Sequence, residues 1–105
     1  MAKTTARKSL QLTPEQRKFL KAQAHALKPV VMIGSQGLTD AVIQEAGRAL
    51  AAHELIKIRV LGDDRDAREA YLSGLCAALN ASPVLHIGKL LLLYRPGDKP
   101  KIRLP

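Results

Sequence analysis

Residues 30–42, VVMIGSQGLTDAV, hold a predicted strand, two glycines and the start of a predicted helix. The run 30–33 is apolar and β-branched at three of its four positions, which favours a strand buried on both faces. Gly34 ends this strand, and Thr39 or Asp40 can cap the helix that follows. The stretch therefore predicts a strand–loop–helix unit, from which the rest of the fold is built outward.

Helical patterns lie before and within this unit. Thr13 and Gln16 form a capping box, Pro14 suits the first helical position, and Pro29 prevents continuation, so a first helix is expected over residues 14–27. In the second helix, helical spacing places one stripe of side chains against the core: Val42, Ile43, Ala46, Leu50 and His53.

Beyond the second helix the pattern changes to period two. In residues 55–60, apolar side chains alternate with Lys57 and Arg59, which are expected to face solvent. The acidic residues 63–66 begin a third helix, because acidic side chains cap and stabilise helix N-termini. That helix supplies a further packing stripe and ends at Asn80.

Two more apolar runs, residues 84–87 and 90–94, are joined by Gly88 and Lys89 as a two-residue hairpin turn. The element order is thus α-β-α-β-α-β-β. Helix crossovers make the first two strands parallel, and the hairpin adds an antiparallel pair. With the helices on one face, the sequence predicts a two-layer α/β domain with a four-stranded mixed sheet.

Composition limits the possible functions. The 105 residues suit one domain, expected over residues 12–105 after a flexible basic extension, residues 1–11. Seventeen Lys and Arg against nine Asp and Glu give a net charge of +8, which favours a polyanionic partner. Only 3% of the residues are aromatic, so recognition of RNA backbone and shape is favoured over base stacking.

Reactive side chains give no sign of catalysis or of a cofactor. Cys76 is the only cysteine, which excludes an internal disulfide and suggests a cytoplasmic protein. The three histidines have no metal-ligand spacing, so no metal is expected. The longest apolar run, residues 90–94, is too short to span a bilayer. Ser35 has no glycine two places before it, as a nucleophile elbow requires.

The loop Gly34-Ser35-Gln36-Gly37 joins the first strand to the second helix. Backbone N–H groups at a helix N-terminus attract anions, and glycines let a phosphate approach without meeting a Cβ. The loop lacks the spacing of mononucleotide and dinucleotide loops. Two interpretations stay open at this point, namely an RNA-binding loop and a simple strand-to-helix turn.

Basic residues are distributed around this unit. The candidates for phosphate contacts are Lys28, Lys57, Arg59, Lys89 and Arg95. Each could instead belong to a solvated surface, or to a basic face that docks an acidic protein partner.

Three segments resemble bacterial YhbY-like proteins, the single-domain members of the CRM (chloroplast RNA splicing and ribosome maturation) family. They are HALKPVVMIGSQGLT (residues 25–39), HELIKIRV (53–60) and IGKLLLLYRP (87–96), and the likeness runs over residues 12–105. The resemblance implies a fold similar to the C-terminal domain of translation initiation factor 3. It also implies RNA binding through the loop at residues 34–37 and neighbouring basic residues, and an association with large ribosomal subunit precursors.

The hypothesis from sequence is therefore a non-catalytic, monomeric RNA-binding protein. It is expected to bind structured ribosomal RNA and to assist assembly of the large ribosomal subunit. The alternative is a small basic module that docks an acidic protein.

Overall fold

The computed structural model describes residues 11–105. The elements follow the predicted order: α1 (Pro14–Ala24), β1 (Val31–Ile33), α2 (Asp40–His53), β2 (Leu55–Val60), α3 (Arg65–Leu79), β3 (Ser82–Ile87) and β4 (Leu90–Tyr94). Apart from Gln11, the predicted extension over residues 1–11 lies outside the described residues. No helix between residues 11 and 105 is long and apolar enough to cross a membrane.

The four strands form one mixed sheet in the order β1-β2-β4-β3. β1 and β2 are parallel, as the helical crossover through α2 predicts. β4 pairs antiparallel with both β2 and β3, and Gly88 adopts a positive φ of 55° in the turn between β3 and β4. The predicted four-stranded mixed sheet of an α/β domain is confirmed.

Helices cover both faces of the sheet. On one face, α2 and α3 pack over alternate strand residues that include Val31, Ile58 and Leu91. On the other face, α1 packs Leu20 in a second cluster that includes Tyr94. The expected two-layer arrangement thus describes α2 and α3, while α1 adds a partial third layer. Crossover handedness does not determine the face of α1, because this helix does not connect two strands.

β1 lies at one edge of the sheet and is exposed on one face. Val31 and Ile33 are buried, but Val30 is 44% exposed and Met32 is 54% exposed. The prediction of a strand buried on both faces is wrong, because α1 packs against β2 and β3 and leaves β1 uncovered.

The helix termini follow local capping chemistry. Thr13 and Gln16 make the predicted capping box, and Thr39 caps α2 by accepting a hydrogen bond from Val42 N–H at 3.2 Å. α1 ends at Ala24, three residues before the predicted end. In residues 25–27 the N–H groups bond to carbonyls three residues back, which tightens the last turn out of α-helical geometry.

β3 begins two residues earlier than predicted. Pro83 lies inside the strand, where a register irregularity between Pro83 and Leu85 accommodates it. A proline is tolerated there because β3 is an edge strand and lacks a partner on its outer side.

The C-terminal segment is fastened to the end of the sheet by Glu54. This buried residue has a left-handed φ of 68°, and its carboxylate accepts hydrogen bonds from the N–H groups of Gly97, Lys101 and Ile102 at 2.8–3.0 Å. Burial alone would raise the pKa of Glu54, but these bonds and nearby Lys101 lower it overall. The segment after β4 is therefore an ordered part of the domain.

Candidate nucleic-acid interface

The glycine loop, residues 34–37, is a tight turn at the carboxyl end of β1. Gly37 N–H donates to the carbonyl of Gly34 at 3.0 Å, which closes the turn. Ser35 and Gln36 occupy its corners and are both exposed. The turn therefore presents two polar side chains to solvent just before α2.

The two glycines serve different purposes. Gly37 has a φ of +71°, and a Cβ there would lie 3.1 Å from the hydroxyl of Tyr71. Gly34 lies outside the left-handed region, and a Cβ there would meet nothing within 4 Å. The fold thus requires glycine at position 37, whereas at position 34 glycine leaves open space beside the backbone.

The N-terminus of α2 is already compensated by the chain itself. Thr39 caps one backbone donor, and Asp40 places an acidic side chain in the first turn. A negative charge in this turn offsets the positive end of the helix dipole. Any attraction of phosphate to the glycine loop therefore depends mainly on neighbouring cations.

A groove of about 150 Å³ opens between the glycine loop and the loop that joins β2 to α3. We call it the strand-end groove; its lining includes Gly34, Ser35, Gly62, Asp63 and Tyr71. It lies at the carboxyl ends of the parallel strands β1 and β2, which is where ligands bind in many α/β proteins.

Lys89 lies at this end of the sheet. Its carbonyl accepts a hydrogen bond from Val60 N–H, and its ammonium group pairs with Asp63 at 2.9 Å. The hydrogen bond and charge of Lys89 lower the pKa of Asp63. Both side chains are accessible to solvent, and the predicted phosphate contact of Lys89 would compete with this ion pair.

Arg68 supports the outer wall of the groove. This buried arginine donates from Nη1 to the carbonyl of Gly62 at 3.0 Å and from Nε to His86 at 3.1 Å. His86 in turn pairs through Nδ1 with the carboxylate of Glu69. No local pattern in the sequence predicts this network, because its members come from α3, β3 and the loop before α3.

Arg59 lies on the sheet face that α1 leaves uncovered. Strand register aligns four side chains there across all four strands, and we call this row the open face: Met32, Arg59, Leu90 and Ile87. Arg59 is exposed, as predicted. It lies opposite Met32, and Met32 precedes the glycine loop by two residues in β1. Arg59 and Lys89 are thus the predicted cations closest to the loop along the sheet.

Lys57 and Lys28 lie farther from the loop. Lys57 was expected to face solvent, but it is half-buried, and its ammonium group donates to the carbonyl of Leu27 at 2.9 Å. This carbonyl follows the end of α1, which covers part of the Lys57 face. Lys28 is exposed and lies next to that carbonyl in sequence, before β1.

Arg95 lies at the opposite end of the sheet from the glycine loop, directly after β4. Its guanidinium donates to the carbonyl of Leu79 at 2.9 Å and to that of Gly47 at 3.3 Å. Arg95 therefore links the end of α3 to α2. The structure does not bring it together with the loop, Arg59 and Lys89.

The other reactive groups have structural environments. Cys76 is buried in α3, and burial raises the pKa of its thiol to about 11. Such a thiol remains protonated at neutral pH and is a poor nucleophile. Between residues 11 and 105, no three His, Cys, Asp or Glu side chains are grouped so as to hold a metal ion.

Comparison with known proteins gives a consistent result. The family model of the CRS1/YhbY (CRM) domain matches residues 12–95. An "RNA-binding protein" of Haemophilus influenzae is 45% identical over 94 residues, which cover 90% of this chain and 95% of the relative. A Bacillus subtilis relative named as a probable RNA-binding protein, YqeI, is 37% identical over 99 residues, covering 90% and 99%.

A solved structure agrees with the fold. The solution structure of a Staphylococcus aureus protein, described as hypothetical and proposed to bind RNA, matches with a TM-score of 0.80 at 30% identity. The match covers 90% of this chain and 100% of the other. Since the family model spans most of the chain and these relatives align over nearly their whole lengths, the chain belongs to the CRS1/YhbY (CRM) domain family.

Proposed function

We propose that this protein is a non-catalytic RNA-binding factor that holds structured ribosomal RNA and assists assembly of the large ribosomal subunit. The observation that carries the proposal is the open space beside Gly34, in an exposed turn flanked by Arg59 and Lys89. A phosphodiester can approach backbone N–H groups there without meeting a side chain, while the cations offset its charge.

The chemistry around the loop favours binding over catalysis. Within the described residues, the hydroxyl of Ser35 donates no hydrogen bond to a basic side chain, so no general base there activates it. The relatives' names also refer to RNA binding. A role as a monomer in the cytoplasm is part of the same proposal.

Sedimentation tests this function in cells. A tagged copy of the chain is expected to co-migrate with large-subunit precursors in a sucrose gradient, and a Gly34→Val variant is expected to shift towards the top. Binding of the purified protein to large-subunit ribosomal RNA is then measured directly. A wild-type protein found only at the top of the gradient, with no affinity for this RNA, would contradict the proposal.

A second candidate function is docking of an acidic protein. The observation in its favour is the open face, where Met32 and Ile87 are more than half exposed beside Arg59. A cavity of about 200 Å³ lies next to it, and its lining includes Lys57, Ile87 and Leu90. Exposed apolar surface bordered by cations suits an acidic segment with an apolar anchor. An Ile87→Ser variant should weaken such docking and leave RNA affinity unchanged.

A further inference from the structure

The strand-end groove offers hydroxyl and carboxylate groups. The hydroxyls of Ser35 and Tyr71 make no hydrogen bond within residues 11–105. Asp63 is exposed, and its ion pair with Lys89 uses only Oδ1. The groove thus has unused hydrogen-bonding capacity directly beside the glycine loop.

The groove suits a neutral, hydroxyl-bearing group better than a phosphate or a base. The carboxylates of Asp63 and Asp64 line the side formed by the loop between β2 and α3 and would repel a phosphate there, whereas Gly34 lines the opposite side. Its one aromatic ring, that of Tyr71, has atoms 3.5 Å from where a Cβ of Gly37 would stand, so the ring is packed against the loop backbone. A carboxylate and a phenol are well suited to a sugar hydroxyl, which both donates and accepts.

The walls of the groove are held in place before any ligand arrives. Leu61 N–H donates to the carbonyl of Ile33 at 2.8 Å, which ties the two loops together where they leave the sheet. Arg68 holds Gly62 in the outer wall. A preformed site of this kind binds without a large ordering cost.

We propose that the strand-end groove binds the ribose of the nucleotide whose phosphate lies against Gly34. Asp63 accepts a hydrogen bond from the 2′-hydroxyl, and Tyr71 donates one to it, so that the site selects RNA over DNA. This inference rests on the proposed RNA-binding function and adds a basis for its specificity.

Sugar-modified oligonucleotides test the inference. The probes are a short RNA hairpin, the same hairpin with 2′-fluoro sugars, and its DNA counterpart. The 2′-fluoro hairpin keeps the RNA type of sugar pucker but has no hydroxyl to donate. Its fluorine also accepts hydrogen bonds only weakly, so neither proposed hydrogen bond forms with this probe. Wild-type protein is therefore expected to bind the RNA hairpin about 4- to 100-fold more tightly than the 2′-fluoro hairpin, since each lost hydrogen bond is worth about 2- to 10-fold.

Variants assign the effect to the groove. Tyr71→Phe removes only the hydroxyl and keeps the ring against Gly37, so the variant should fold, and its RNA to 2′-fluoro affinity ratio should fall towards one. Asp63→Ala should lower the same ratio, even though it frees Lys89 and raises affinity for all three probes. Ser73→Ala, at an exposed position on α3, is the matched control and should keep the wild-type ratio.

The outcomes separate this inference from the function on which it rests. A wild-type ratio of one, or an unchanged ratio in Tyr71→Phe, would overturn the ribose contact. If RNA affinity is nevertheless lost in Gly34→Val, the proposed function still stands. Failure of the wild type to bind any RNA would overturn both.

Discussion

Alanine substitutions at the two loop glycines are expected to have opposite consequences. At Gly37 an alanine must adopt a φ of +71°, which costs about 1–2 kcal/mol for a residue with a Cβ. Its Cβ would also lie 3.1 Å from the hydroxyl of Tyr71, so that ring must shift by a few tenths of an ångström. Gly37→Ala is therefore expected to lower the free energy of unfolding by about 1–2 kcal/mol or slightly more.

At Gly34 the same change meets no atom within 4 Å and requires no left-handed backbone. Loss of glycine's freedom in the unfolded chain should make Gly34→Ala neutral or stabilising by up to about 1 kcal/mol. The Gly34→Val variant should also fold, but its larger side chain fills the space assigned to a phosphate. Its RNA affinity should fall about tenfold or more, or about 1.4 kcal/mol.

Urea denaturation and RNA-binding titrations of the same preparations check both expectations. The unfolding midpoint separates Gly37→Ala from wild type, and titration at fixed salt separates Gly34→Val from Gly34→Ala. Equal destabilisation at the two positions would refute the structural distinction between the glycines. Unchanged RNA affinity in a folded Gly34→Val protein would indicate that the loop is a simple strand-to-helix turn with no part in RNA binding.

The remaining predictions concern charged and buried groups. Arg59→Gln should flatten the plot of log affinity against log salt by about 0.7 to 0.9, the share of one phosphate contact. Arg95→Gln should keep that slope but lower the free energy of unfolding by about 1–3 kcal/mol, because two carbonyls lose a charged donor; equal slope changes in both variants would contradict the assignment. Glu54→Gln should lower stability by about 1–3 kcal/mol at pH 7, because its amide cannot accept from every N–H of the C-terminal segment. The folded-state pKa of Glu54 is lowered, despite the opposing effect of burial. Its contribution to the free energy of unfolding should therefore be complete above its ordinary pKa of 4.5 and disappear as pH falls through the lower folded value. Denaturation at several pH values should show this loss in wild type but not in Glu54→Gln. Cys76, with a pKa of about 11, should react with a thiol reagent at pH 8 only as fast as the domain opens, and rapid labelling of the native protein would contradict its burial.

Local chemistry made much of this fold predictable. The caps at Thr13 and Thr39 and the turn at Gly88 depend on residues a few positions apart, and each occurs where the sequence predicts it. The strand over residues 55–60 was identified with its bounds, because its alternation reflects one buried face. Secondary structure and the sheet class were therefore accessible without any long-range information.

Contacts between distant segments were not predictable in this way. The half-burial of Lys57 depends on which face α1 covers, and no crossover fixes that choice. Arg95 carries the same charge as Arg59, and nothing in the residues next to it indicates that its guanidinium donates hydrogen bonds to carbonyls of α2 and α3. Likewise, the contact between Gly37 and Tyr71 joins residues that share no sequence pattern.

The hydrogen bonds that join Glu54 to the C-terminal segment also affect the order in which this chain completes its fold during synthesis. Glu54 leaves the ribosome well before the backbone donors that satisfy its carboxylate, which are those of Gly97, Lys101 and Ile102. Until they emerge, the residue between α2 and β2 carries a charged group that only water can solvate. Burial of this carboxylate must therefore wait for the last residues, although the family match ends at residue 95. A chain truncated after residue 95 would keep all four strands but lose Ile102 and Leu104, which pack against the second cluster, so the folding unit extends beyond the span of the family model.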